Sequence, residues 1–233
     1  MLVLTGAGMS ADSGLPTYRG VGGLYEDADT PEGLSIEEVL SGPMLRRNPA
    51  LCWHYIAQIE HACRGAEAHE GHRALAQLER HLDVVIVTQN VDGFHRDAGS
   101  SRVLELHGTL RRLRCTGCGA SQALRTYEGL QIPPSCPSCA GLVRPDVVLF
   151  GEALPSEVLY EWERDMALGF DLVLSIGTSG LFPYIVQPVV HARQRGVPTV
   201  EINPGQSTVS ELVDIHWQAR ASMALPELLR CLA

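Results

Sequence analysis

Four cysteines stand in two Cys-x-x-Cys pairs, Cys115-Thr-Gly-Cys118 and Cys136-Pro-Ser-Cys139, separated by 17 residues. Each pair can present two thiolates to one ion from a tight turn, and two such turns complete a closed tetrahedral site of four thiolates. With no coordination position left open, a zinc ion held there is structural rather than catalytic. A redox dithiol or an iron–sulfur cluster would draw on the same residue type, and two pairs at this spacing favour zinc over either. Cys52, Cys63 and Cys231 read as buried thiols.

A second set of polar residues is spread along the chain, each member directly after a short apolar run. Leu2 to Thr5 runs into Gly6-Ala7-Gly8, Val84 to Thr88 into Gln89-Asn90-Val91-Asp92, and Val103 to Leu106 into His107-Gly108. Leu172 to Ile176 leads to Gly177-Thr178-Ser179, and Thr199 to Ile202 to Asn203-Pro204-Gly205. Such runs suit buried parallel strands, with a sixth expected over Val147 to Phe150. Between them lie helical patterns, from Pro49 to Ala62 with Asn48 as cap, and from Gly71 to Leu82. The alternation predicts an α/β fold with a Rossmann-like, doubly wound parallel sheet, whose ligands bind beyond the carboxyl ends of the strands. Glycine turn, Asn-x-Asp and histidine therefore converge on one edge. Turn glycines and caps are common at such ends, but a His and an Asn-x-Asp in addition point to a site. Gly6 to Gly14 lacks the third glycine of G-x-G-x-x-G, yet it follows a strand and can open a helix whose N-terminus would face a pyrophosphate.

The composition excludes several chemistries. All 18 basic residues are arginine, so no lysine serves a P-loop, a Schiff base or a Ser/Lys dyad. The formal charge of −9 repels phosphate backbones, and the one basic cluster, Arg111, Arg112 and Arg114, is short, so no direct nucleic-acid partner is expected. No apolar run approaches the ~20 residues that span a bilayer, so no membrane partner is expected either. The start reads as a strand rather than a signal peptide, which predicts a cytoplasmic protein. Oligomeric state is left open, with a monomer the expectation. At 233 residues the chain predicts one large domain with a smaller insertion. We divide it into a Rossmann-like domain of residues 1–20, 66–110 and 145–233, and a small domain of residues 21–65 and 111–144. The small one comprises a helical module and a four-cysteine zinc module.

Taken together these segments resemble the sirtuin (Sir2-type) family of NAD-dependent protein-lysine deacylases along nearly the whole chain. Gly6-Ala7-Gly8-Met9-Ser10-Ala11-Asp12-Ser13-Gly14-Leu15-Pro16-Thr17-Tyr18-Arg19-Gly20 is similar to the family's first signature, and Thr88-Gln89-Asn90-Val91-Asp92-Gly93-Phe94-His95 to its second. Leu106-His107-Gly108, the four cysteines, Val147-Val148-Leu149-Phe150-Gly151-Glu152, Gly177-Thr178-Ser179 and Asn203-Pro204 follow in family order. The resemblance implies that an acyl-lysine oxygen attacks the anomeric carbon of the nicotinamide ribose, releasing nicotinamide and leaving an alkylimidate. His107 then acts as general base for a ribose hydroxyl, and the products are free lysine and acyl-ADP-ribose. An imidazole suits that task because its ordinary pKa of about 6.5 lies near operating pH.

The resemblance also implies roles for single residues. Gly6, Ala7, Gly8, Ser10, Ala11 and Pro16 belong to the NAD-binding turn, with Tyr18 and Arg19 on a loop over the nicotinamide pocket. Asn90 and Asp92 hold the carboxamide, Asn90 counting also as catalytic, and Gln89 holds the ribose. Gly177, Thr178 and Ser179 lie by the phosphates, and Asn203, Pro204, Gly205 and Ala221 by the adenosine. Val148, Phe150, Gly151 and Glu152 line a groove where the substrate peptide adds as a strand. His95 and His72 are expected to be structural neighbours. The implied partners are NAD, one structural zinc ion and acyl-lysine-bearing proteins or peptides.

Three residues depart from family patterns. Tyr18 stands where phenylalanine is usual, and Ile56 and Ile59 stand where a subgroup acting on acidic acyl groups has Tyr-x-x-Arg. Burying a succinyl carboxylate beside two isoleucines without a cation is costly, so acetyl or longer apolar acyl groups are expected and desuccinylation is expected to be poor. A mono-ADP-ribosyltransferase on the same scaffold, or a zinc-containing NAD-binding scaffold without turnover, are the alternatives.

Overall fold

The computed structural model describes residues 1–16 and 30–232. Tyr18 and Arg19, expected over the nicotinamide pocket, lie outside the described residues. Six strands form the main sheet: β1 (Leu2–Thr5), β2 (Val85–Thr88), β3 (Val103–Glu105), β7 (Val173–Ile176), β8 (Thr199–Ile202) and β9 (Ile215–Trp217). They run all parallel in the order β3-β2-β1-β7-β8-β9. Five of them coincide closely with the apolar runs. The sixth differs from expectation: Val147 to Phe150 is not in this sheet, and β9, with an exposed Ile215, is the edge strand instead. Its pattern is too short and polar to stand out, because an edge strand need bury only part of one face.

The central strands are apolar on both faces because helices cover both. In β1 the alternation sends Leu2 and Leu4 to one side and Val3 to the other, and in β2 Val85 and Val87 oppose Ile86. On the Val3 side the sheet packs against helices α5 (Glu70–Leu78) and α9 (Ala221–Leu232), through Leu75, Leu78 and Leu225. On the Leu2 side it packs against α7 (Ser156–Leu168) and α8 (Pro183–Gln194), through Trp162, Ile185 and Val189. Helix α5 spans less than the Gly71 to Leu82 pattern, ending where Arg80 and His81 turn back onto Gln77 and Leu78.

A third core lies apart from these two. A three-stranded antiparallel sheet, β4 (Gly108–Cys115), β5 (Ser121–Ala123) and β6 (Val143–Val147), contributes Leu110 and Leu113. Helices α2 (Ile36–Val39), α3 (Gly42–Arg47) and α4 (Pro49–Cys63) cover it with Met44, Leu45, Trp53 and Ile56. Asn48 caps α4 by accepting from Leu51 N at 3.2 Å, with Pro49 in the first turn, as the sequence predicts. Trp53 Nε1 donates to the Val143 carbonyl at 3.0 Å and ties α4 to β6. Of the thiols expected to be buried, Cys52 is, Cys63 is half-buried and Cys231 is exposed.

Under the sheet, three aromatic side chains pack in sequence, two of them from the short helix α6 (Phe94–Asp97). His95 Nε2 pairs with Thr5 Oγ1 at 3.0 Å, His72 lies edge-on to His95 with ring centroids 5.0 Å apart, and Phe94 meets His72 at 5.7 Å. The two histidines are the structural neighbours expected from the sequence. Burial lowers His72 to about 2 and His95 to about 3, so both are neutral in the native state. The unfolded chain takes up protons at these positions below about pH 6.5 while the folded chain does not until far lower, so their contribution is full above pH 6.5 and shrinks as pH falls. Thermal unfolding followed from pH 7 to pH 4 is expected to show stability falling by up to about 1.4 kcal/mol per pH unit for each histidine, and His72→Phe is expected to flatten that slope. An unchanged slope in the variant would contradict this assignment.

Candidate active site

Chain order along the main sheet reverses between β1 and β7, the place where such sheets leave a crevice at their carboxyl ends. Here the loops after those strands touch backbone to backbone: Gly6 N donates to the Ile176 carbonyl at 3.1 Å and Gly8 N to the Gly177 carbonyl at 2.8 Å. A Cβ on Gly8 would lie 2.8 Å from Gly177 Cα, and one on Gly177, where φ is +57, would collide with Met9 N. Only glycine fits at either position. With Gly8 the chain has already entered the short helix α1 (Ala7–Ser10), and Ala11 begins a single 3-10 turn.

The Asn-x-Asp segment after β2 is fastened to that turn. Asn90 Nδ2 donates to the Gly6 carbonyl at 3.0 Å and to Ser10 Oγ at 3.2 Å, which leaves Oδ1 as the atom it can offer a ligand. Ser10 Oγ donates to Asp92 Oδ2 at 2.8 Å, and Phe94 N donates to Asp92 Oδ1 at 2.9 Å. Burial pushes the Asp92 carboxyl above its ordinary value. Gln89 Nε2 bridges Thr5 O at 3.3 Å and Thr178 Oγ1 at 3.0 Å, linking the loops after β1, β2 and β7. Ala7, Ser10, Pro16, Asn90 and Asp92 face a pocket closed on the other side by Ile59, Ala62 and Cys63 of α4. Ile59 thus reaches the pocket, whereas Ile56, 2% exposed, is packed into the third core.

His107 follows β3 beside the same segment. Its Nε2 lies 2.6 Å from the Tyr184 hydroxyl, and its ring meets Phe182 and Tyr184 edge-on at 5.7 and 6.0 Å. Burial lowers the imidazole pKa, opposed in part by a backbone hydrogen bond at Gln89, so the ring is neutral at physiological pH and can accept a proton.

The remaining cleft residues fall in two places. Asn203 Nδ2 donates to the Thr178 carbonyl at 3.1 Å and Asn203 Oδ1 accepts from Gly205 N at 3.3 Å, which ties the loop after β8 to the loop after β7. Ser179 and Pro204 are exposed on these loops, and Ala221 is buried at the start of α9. Val148 N donates to the His107 carbonyl at 2.8 Å, so the Val148 to Glu152 loop leaves β6 directly beside the histidine. Phe150 has its backbone paired with Leu40 and Gly42, and Glu152 forms a bidentate pair with Arg144 at 2.6 and 2.8 Å while accepting from Leu149 N. Burial alone would raise Glu152, but Arg144 and the Leu149 amide hold its carboxyl below the usual range. Glu152 braces this loop, and Gly151 is its exposed corner.

Cys115 closes β4 and Cys136 and Cys139 precede β6, so the small sheet itself brings the two pairs together. The four Sγ atoms lie within 4.8 Å of one another, with Cys115 to Cys139 at 3.4 Å and Cys118 to Cys136 at 3.7 Å. A tetrahedron with Zn–S of about 2.3 Å has sulfurs roughly 3.8 Å apart. Amides of Cys118 and Gly117 donate to Cys115 Sγ and lower its pKa to about 6, favouring the thiolate a metal needs. A Cβ on Gly141 would press on Cys115 and Cys139 Sγ at 3.2 Å. The four cysteines fit a structural zinc ion.

The sequence model of the Sir2 family matches residues 6–183. The chain belongs to the Sir2 family. A relative from Pseudomonas aeruginosa, NAD-dependent protein deacylase 2, is 51% identical over 232 residues, covering 98% of this chain and 90% of its own. A mutant Sir2 homologue in complex with 2'-O-acetyl ADP ribose superposes with a TM-score of 0.88 at 35% identity, covering 99% of this chain and 90% of that one. A Sir2–p53 peptide–NAD+ complex superposes with a TM-score of 0.82 at 25% identity, covering 98% and 91%.

Within this Sir2 framework the structure adds residues that the sequence patterns did not single out. Thr5 contacts His95, Tyr184 contacts His107, and Arg144 anchors Glu152. Glu201, fully buried in β8, accepts from Ser207 and Ser210 at 2.5 Å each and shapes the loop behind Asn203. A glutamate inside an otherwise apolar strand was the available signal for Glu201. Tyr184 carried none, lying in no motif and far along the chain from His107. The zinc assignment is checked by Cys115→Ser. We expect loss of bound metal in an elemental assay and a thermal transition lowered by several degrees, whereas full stability without metal would refute it.

Proposed function

We propose that the cleft between the main sheet and the third core carries out NAD-dependent protein-lysine deacylation, with His107 as general base. The observation that carries this is the neutral His107 set beside the Asn90–Ser10–Asp92 network at the carboxyl edge of the sheet. Bound NAD supplies an activated anomeric carbon with nicotinamide as leaving group, so that the acyl group ends on ADP-ribose. Asn90 Oδ1 and Asp92 would hold the carboxamide in the pocket beside Ala7, Pro16 and Ile59. Gly6, Gly8, Gly177, Thr178 and Ser179 would face the phosphates, with Gln89 near the ribose. Asn203, Pro204, Gly205 and the backbone at Ala221 would receive the adenosine. His107 Nε2 would take the proton of a ribose hydroxyl.

The separate third core supports a division into a Rossmann-like domain and a small domain with the cleft between them, although β4 and β6 run across the boundaries at 110/111 and 144/145 and Leu110 and Leu149, assigned to the large domain, pack into the third core. The acyl-lysine peptide would lie along Val148, Phe150 and Gly151, close to the base because Val148 is bonded to the His107 carbonyl. Phe150 offers its half-exposed ring rather than free backbone groups. A cytoplasmic location fits the family's bacterial relatives, and no helix among the described residues is long and apolar enough to cross a membrane.

The wall that α4 presents to the pocket is Ile59, Ala62 and Cys63, and none of the described residues facing this pocket is cationic. A carboxylate-bearing acyl group would be desolvated there without a partner. One assay on acetyl- and succinyl-lysine peptides tests both readings. We expect acetyl removal at least about tenfold faster than succinyl removal, and His107→Ala to lose about 10²-fold or more of the acetyl rate while retaining its fold and NAD binding. Equal or faster desuccinylation would overturn the acyl preference, and a fully active His107→Ala would remove His107 from the mechanism.

A further inference from the structure

We propose that Tyr184 is a positioning residue for the deacylation step, holding His107 in the ring orientation and tautomer that leave Nε2 basic. This rests on His107 acting as the base, as proposed above. Tyr184 sits in the first turn of α8, and its hydroxyl lies 2.6 Å from Nε2 of His107, two residues after β3.

Three observations converge. First, the imidazole is bracketed: Phe182 and Tyr184 are stacked at 10° with centroids 5.2 Å apart, and His107 stands nearly perpendicular to both, at 79° and 89°. Edge-to-face contacts of this kind fix ring orientation. Second, Nε2 is the ring atom that faces the Tyr184 hydroxyl, so a proton donated by the tyrosine makes Nε2 the acceptor and leaves the ring proton of the neutral imidazole on Nδ1. Nε2 is then the bare nitrogen, and the hydrogen bond runs from the tyrosine hydroxyl to it. Third, burial pushes the Tyr184 hydroxyl up to about 12, so it keeps its proton and is a donor throughout the working pH range.

The Tyr184 hydroxyl and the edge contacts of Phe182 and Tyr184 thus hold the ring of a residue that follows β3 from the start of α8. A Nε2–H tautomer would present a proton to an incoming ribose hydroxyl instead of a lone pair, so the tautomer decides whether the base works. On substrate binding the ribose hydroxyl takes over the acceptor site that Tyr184 has kept oriented, and its proton passes to Nε2.

The test separates steps that need the base from the step that does not. Release of nicotinamide is reversible and precedes proton abstraction, so exchange of labelled nicotinamide into NAD in the presence of acetyl peptide reports binding and the first step alone. In Tyr184→Phe the ring stack is kept and only the hydroxyl is lost. We expect net deacetylation to fall about 5- to 10-fold while nicotinamide exchange stays within about twofold of the parent protein and thermal stability is unchanged. The two rates falling in parallel, both staying unchanged, or deacetylation rising would each overturn the proposal. A second measurement needs no variant: in protein labelled with ¹⁵N-histidine, His107 is expected to show a protonated Nδ1 and a bare Nε2, and the opposite tautomer would also overturn it. His107→Ala in the same exchange assay separates the two claims. If it deacetylates normally, the base assignment fails, whatever Tyr184 does.

Discussion

The site depends on one close approach of backbone to backbone. Where β1 and β7 end side by side, Gly8 N bonds to the Gly177 carbonyl, and no side chain fits between the two loops. That contact brings a glycine turn, a short helix and a Gly-Thr-Ser loop to one point on the sheet edge. Asn90 then reaches Gly6 and Ser10, Gln89 reaches Thr178, and Asn203 reaches the Thr178 carbonyl. Asn90, Asp92, Gln89 and Asn203 are thus each positioned by bonding to one of the two glycine loops or to a residue already fastened there. A substitution that forced these loops apart would disturb the ligand-facing residues together rather than singly.

The remainder of the molecule supplies the second wall. A separate core of α2, α3, α4 and the small antiparallel sheet holds Ile59 opposite Asn90 and Asp92. It also sends the Val148 to Glu152 loop past His107, where the Arg144–Glu152 pair fixes the loop's curvature. The cysteine cluster lies at the far ends of β4 and β6, away from the cleft residues. Its contribution is to close a small sheet whose own apolar core is slight, a common reason for a metal in a lobe of this size.

Much of this was legible in the sequence because the decisive features are local. Five short apolar runs, each leading into Gly, Gln-Asn, His or Asn, marked strands and site edge together, and Cys-x-x-Cys spacing specified a closed metal site. What escaped was what depends on tertiary context. The edge strand at Ile215 to Trp217 carries too little apolar patterning to distinguish it from loop, and Val147 to Phe150 has the composition of a strand but pairs elsewhere. Glu152, read as a groove residue, is engaged by Arg144, a partner eight residues away whose role no local pattern marks. Ile56 and Ile59 share a helix face, and only the packing of α4 decides that one enters the pocket and the other the core. Tyr184 is 77 residues from His107 in the chain, and nothing short of the fold joins them.

The most direct measurement is mass spectrometry of an acetyl-lysine peptide incubated with the purified protein, with and without NAD. Free lysine peptide, nicotinamide and acetyl-ADP-ribose are expected to appear in equal amounts, and only when NAD is present. Nicotinamide released while the acetyl group stays on the peptide would contradict the account and point to ADP-ribosyl transfer instead.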